Sequence, residues 1–139
     1  MMRPITEIII HCSDTNVLRH VSVEEIRSWH RARHFSDIGY HFIIHQDGTI
    51  EQGRPISQVG AHCKGHNRFS IGICYVGGRD AAGKYADTRT SAQRSSLVRL
   101  IQRLRHDYPS IRSISGHRDF APKECPCFDA KTEYKYLLQ

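Results

Sequence analysis

No apolar run in this sequence approaches the length of a membrane span, so insertion into a bilayer is not expected. The opening MMRPITEIIIHCSD holds one arginine and a short apolar stretch ending at His11, with no small-residue cleavage site. It does not read as a secretion signal, and the expectation is a chain that is cytoplasmic as synthesised. H-E-x-x-H, G-x-S-x-G and a phosphate-binding loop are missing, which sets aside the common metalloprotease helix, the serine-hydrolase elbow and nucleotide chemistry. No pair of carboxylates is singled out as glycoside hydrolysis requires. Repeats, low-complexity tracts and linkers are absent as well, and 139 residues suffice for one ordinary domain spanning 1–139, not two. The cysteines are five, an odd number for a disulfide framework. Cys125 and Cys127 are separated by one residue, too close for an unstrained bridge and not the thioredoxin spacing.

What is present is a globular balance, with 39% hydrophobic and 24% charged residues and a formal net charge of +6. Such a charge suits nucleic acid, an anionic membrane surface or an anionic polymer such as bacterial cell wall, and it also serves solubility alone. A nucleic-acid partner is not expected, because the chain carries neither a recognisable binding motif nor a concentrated basic helix.

EIIIHCS is a continuous apolar, β-branched run, the pattern of a buried central strand. Ser22 and Glu25 stand at capping-box spacing, and Val23, Ile26, Trp29 and His30 then share a helical face. GYHFIIHQDGTIEQG predicts a hairpin, with strands Tyr40 to His45 and Thr49 to Gln52 about an Asp47-Gly48 turn. SIGICYVGG is a second buried strand, flanked by Gly-rich polar stretches that read as loops. Thr90 and Gln93 cap a helix whose stripe is Leu97, Leu100, Ile101 and Leu104, stopped by Pro109. IRSIS is a short strand, and the tail DAKTEYKYLLQ has room for one or two helical turns. The pattern is an α/β domain, a mixed central sheet flanked by helices with loops gathered at one edge.

The chemistry concentrates in SGHRDFAPKECPCFD. His117 and Cys125 have enough chain between them to turn back on one ion, and His11 ends the most buried strand, where α/β sheets place their sites. Two readings stand at this point. One is a catalytic zinc with three protein ligands. The other has His11 capping a strand, His117 bonding a loop carbonyl and Cys125 acting as a small buried hydrophobe. Lys123 is either an oxyanion donor beside the metal or a solvated surface lysine. Tyr40 either presents its hydroxyl to the cleft or packs.

IIIHCSDT, WHRARHFSDIGYHFIIHQDGTIEQGRP, VGAHCKGHNRFSIGICYVGG and GHRDFAPKECPCFD follow one another in a familiar order. Together they resemble the zinc-dependent N-acetylmuramoyl-L-alanine amidases of the amidase-2 and peptidoglycan-recognition superfamily, most closely the small phage amidases used as endolysins. The resemblance covers about Ile5 to Asp129. It implies one Zn²⁺ held at the sheet edge by His11, His117 and Cys125, with Tyr40 and Lys123 catalytic. It also implies His62 and Asn67 on the loop lining the substrate groove. The implied activity is hydrolysis of the amide between N-acetylmuramic acid and L-alanine in bacterial peptidoglycan, by a monomer acting on the wall after release at lysis. The alternative is a peptidoglycan-binding module without catalysis, although relatives of that kind typically lose the zinc cysteine. Two departures stand out: Cys127, where related sequences often have a small residue such as serine, puts a second thiol near the metal, and Cys63 adds another in the groove.

Overall fold

A computed structural model describes residues 3–139. The apolar run of the sequence becomes β1 (Glu7–Cys12), which pairs in parallel with β5 (Ser70–Tyr75) on one side and β7 (Ser113–Gly116) on the other. Outward from β5 lie β3 (Phe42–Ile44), parallel, and β4 (Ile50–Gln52), antiparallel, giving the order β4-β3-β5-β1-β7. A parallel centre with both faces covered explains why β1 and β5 are buried along nearly their whole length rather than alternating. A second ribbon pairs β2 (Thr15–Asn16) with β6 (Gly78–Arg79) beside the main sheet.

One face carries Ile8, Ile10, Ile71, Ile73, Tyr75 and Ile44 against α2 (Ser91–Asp107), whose Leu97, Leu100, Ile101 and Leu104 are buried as the stripe predicts. The residue before Ile44 in β3, Ile43, points the other way, into a smaller cluster with Val23 and Ile26 of α1 (Val23–Ala32). Both capping boxes form: Ser22 accepts from the Glu25 N–H, and Thr90 from the Gln93 N–H. Trp29 is only partly buried, with the Arg19 guanidinium 5.2 Å from its ring centre. No helix among the described residues is long and apolar enough to cross a membrane.

Two local expectations change, the hairpin bounds and the loop after β5, while the helical turns expected of the tail form. The hairpin's strands are shorter than expected, Phe42–Ile44 and Ile50–Gln52, although the Gly53 and Arg54 N–H groups still donate to the His41 and Tyr40 carbonyls (2.9 and 2.8 Å). Its turn is as read, with Gly48 at φ +89° and Asp47 accepting from the Thr49 N–H. The loop after β5 contains β6. The tail forms α3 (Ala130–Glu133) and a 3-10 turn over Lys135–Leu138, seating Ala130, Tyr134 and Leu137 in the main core. That tail is tied to the start of α2 by Arg89, whose enclosed guanidinium bonds Asp87 (2.9 Å), Glu133 (2.6 Å) and the Tyr134 hydroxyl (2.8 Å) and lies 3.3 Å from the Phe128 ring centre.

Candidate active site

β1 and β7 run parallel, so their C-terminal ends lie at the same sheet edge. His11 is the penultimate residue of β1, and His117 follows directly on β7 as the start of a 3-10 turn over His117–Asp119. The chain then loops outward and returns, fixed by the Arg118 N–H on the Cys125 carbonyl (2.8 Å). Behind it, the fully buried Tyr75 donates its hydroxyl to the Pro126 carbonyl (2.6 Å). One strand end and one returning loop therefore meet at a point.

At that point the ligand atoms of His11, His117 and Cys125 all lie within 4.8 Å of one another. Tetrahedral zinc with bonds of about 2.0–2.3 Å spaces its ligands roughly 3.3–3.8 Å apart, so these residues need only small shifts to close on an ion. His11 Nδ1 is 3.9 Å from Cys125 Sγ, which also accepts from the Cys12 N–H at 3.2 Å. Burial holds His11 well below the ordinary imidazole pKa, helped by neighbouring His62, His117 and Lys123, and His117 is lowered by burial and by Lys123. Both rings are thus neutral near pH 7 with lone pairs available, the state metal ligation needs. The donor set, two imidazoles and one sulfur, suits zinc and not the hard-oxygen cations.

His117 and Cys125 line an open cleft of about 1370 Å³, with His11 buried behind them. Lys123 is exposed at its rim, and Tyr40 lines its wall with its ring centre 5.1 Å from that of His11. Burial pushes the Tyr40 hydroxyl further above its usual pKa, so it stays protonated as a donor. Tyr40 rests edge-on against His30 (5.2 Å), whose Nδ1 accepts from the Gly39 N–H (2.8 Å). The chain leading to it is braced by buried Arg54, which donates to the carbonyls of Ile38, Val59 and Asp37 at 3.0, 2.8 and 3.2 Å. Three more cations, Arg33, Lys64 and Arg118, surround the opening.

His62 and Asn67 also line the cleft. Asn67 Oδ1 accepts from the backbone N–H groups of His62 and Cys63, both at 2.9 Å, and so holds the loop. Cys63 is buried there, its thiol pushed up by that burial. His66 stacks on Phe120 at 3.8 Å and joins this loop to the one carrying Lys123. Cys127 is not among the converging ligands: its thiol meets the Gly78 carbonyl (3.3 Å) and lies 4.0 Å from Cys12 Sγ. Arg54, His30 and Tyr75 carry no sequence signal of a site role, because each acts by holding backbone groups that no motif marks.

Residues 1–128 match the N-acetylmuramoyl-L-alanine amidase family. The endolysin of Klebsiella phage KP32 is 45% identical over 126 residues, spanning 91% of this chain and 83% of that one. The endolysin of Escherichia phage T7 is 47% identical over 124 residues, 89% of this chain and 82% of its own length. Among solved structures, the N-acetylmuramoyl-L-alanine amidase LysC from Clostridium intestinale URNW superposes with a TM-score of 0.82 at 31% identity, over 98% of this chain and 86% of that one. With a strand-end histidine, a loop histidine and a loop cysteine meeting in one cleft, and the family match running through all three, the chain belongs to the N-acetylmuramoyl-L-alanine amidases, enzymes of bacterial peptidoglycan.

Proposed function

We propose that this amidase is zinc-dependent and acts as an endolysin, cutting the bond between the lactyl group of N-acetylmuramic acid and the L-alanine of the stem peptide. His11, His117 and Cys125 would hold the ion. When bound there, zinc supplies a Lewis acid and lowers the pKa of water towards about 7. The observation that carries the proposal is the convergence of these three side chains, from distant parts of the chain, at the floor of a cleft edged by Lys123 and Tyr40.

In the reaction, water adds to the lactyl carbonyl carbon, the C–N bond breaks, and the L-alanine nitrogen leaves as an amine after taking up a proton. Lys123 provides the cation for the oxygen on which negative charge develops, an interaction stronger in the transition state than in the ground state. Tyr40, a protonated donor, orients the attacking water or the departing nitrogen. The Cys12 N–H, 3.2 Å from Cys125 Sγ, would orient that ligand. Arg33, Lys64 and Arg118 around the mouth suit the carboxylates of a stem peptide. His62 and Asn67 line the groove wall that the substrate follows.

The test is mass spectrometry of purified peptidoglycan after incubation with zinc-loaded protein and with a chelator-treated control. Stem peptides with a free L-alanine amino terminus, released only in the presence of metal, are expected. Intact peptidoglycan retaining bound protein would overturn the catalytic assignment in favour of a recognition module.

A further inference from the structure

The cleft histidine His62 has no polar atom to spare for a substrate. Its Nδ1 is 2.8 Å from His11 Nε2, its Nε2 is 3.1 Å from Ser70 Oγ, and its side chain is buried. It stands edge-on to His11, with ring centres 4.9 Å apart. We propose that His62 is a positioning residue for the metal ligand His11, and that residue 72 is glycine in order to admit it. The inference rests on reading His11, His117 and Cys125 as the ligand set.

Proton bookkeeping fixes the arrangement. A neutral imidazole carries one N–H, and two ring nitrogens at 2.8 Å must share one proton between them. His11 turns Nδ1 toward Cys125, so that nitrogen offers its lone pair to the ion and Nε2 carries the hydrogen. His62 Nδ1 is then the acceptor, its own hydrogen lies on Nε2, and Ser70 Oγ receives it. A single tautomer of each ring satisfies the whole chain. A ligating histidine whose second N–H is held in this way has its ring plane and its tautomer fixed before the ion arrives. The partner here is a neutral imidazole and not a carboxylate, so it orients His11 without adding negative charge to the centre.

The central strand is shaped to make room. A Cβ on Gly72 would stand 2.6 Å from Cγ and 2.8 Å from Nδ1 of His62, closer than two such atoms approach. A glycine inside a fully buried strand costs stability, and the His62 ring fills the space it leaves. Asn67 acts one step further back, since its side chain fixes the backbone from which His62 projects.

The experiment measures zinc affinity of the full-length chain by competition with a chromophoric chelator, together with kcat and KM on a soluble muropeptide. Wild type should bind one zinc per chain. His62→Ala should bind it about 10–100-fold more weakly. His62→Asn, which returns an acceptor oxygen near the Nδ1 position, should recover most of that loss. Gly72→Ala should also weaken zinc in the wild-type background but add little to His62→Ala, where the new methyl has space. In wild-type protein, long-range ¹H–¹⁵N spectra should show both His11 and His62 protonated at Nε2, a readout independent of whether any variant folds. Unchanged zinc affinity with a raised KM in His62→Ala would make His62 a substrate contact and overturn the inference, as would a hydrogen on His62 Nδ1. Wild-type protein that takes up no zinc would instead refute the ligand assignment itself.

Discussion

Tyr75→Phe removes a single oxygen, yet it should be felt at the proposed metal site. The hydroxyl lies in the main core and donates to the carbonyl of Pro126, the residue after Cys125, at 2.6 Å. The ring remains, so the hydrophobic contacts with Phe128 (6.2 Å between ring centres) persist and the cavity is no larger than one atom. What is lost is a hydrogen bond, and what is left is a buried carbonyl without that partner, together about 1–3 kcal/mol. For a chain of this size that is a fall in Tm of roughly 3–9 °C. Urea unfolding with and without zinc measures it, with m expected to stay constant. If the bond positions Cys125, the loss is larger in the zinc-loaded protein, and the excess converts to metal affinity at tenfold per ~1.4 kcal/mol. An equal loss in both forms would show that the bond stabilises the core without placing the ligand. Unchanged midpoints in both would refute the reasoning altogether.

Lys123 is exposed, so Lys123→Ala should leave stability and zinc stoichiometry intact while lowering kcat by about 10²–10³-fold; steady-state kinetics beside metal analysis checks this, and retained turnover would remove its role. Cys125→Ser should lose both zinc and activity, whereas Cys127→Ser should keep both, since Cys127 faces Gly78 and Cys12; metal analysis showing the reverse would exchange the two assignments. Stability should also fall in acid. Burial raises Asp87 but its bonds to Arg89 prevail, and Glu133 is lowered by the same arginine, so both carboxylates sit below their usual range. A depressed carboxylate contributes stability that is whole above its unfolded pKa of about 4 and vanishes as pH drops through the folded value. Arg89→Met should flatten this acid limb in pH-dependent urea unfolding, and an unaltered slope would separate Arg89 from it.

The elements legible in the sequence were those written in local terms. Caps at Ser22 and Thr90, the stripe of α2 and the apolar run of β1 depend on neighbours a few residues away, and all are found. The candidate ligand set was only half legible from spacing, because His11 lies more than a hundred residues from its partners; the ordered motifs of the family resemblance singled it out, and the structure brings the three side chains close together. Nothing local marks Tyr75, Arg54 or Gly72, whose meaning lies in Pro126, in the carbonyls around Tyr40 and in the ring of His62. The β2–β6 ribbon escaped for the same reason, two residues per strand being too few to show a period.

The Arg89 clamp has a bearing on where the enzyme can be cut or joined. The family match ends at residue 128, after the last ligand, but the carboxylate and hydroxyl that Arg89 grips belong to Glu133 and Tyr134. A fragment trimmed at the family boundary would keep every candidate catalytic side chain and lose the groups through which Arg89 ties the tail to the start of α2. Chimeric lysins assembled from this catalytic unit should therefore place their junction beyond the α3 turn, leaving that far anchor with the part it steadies.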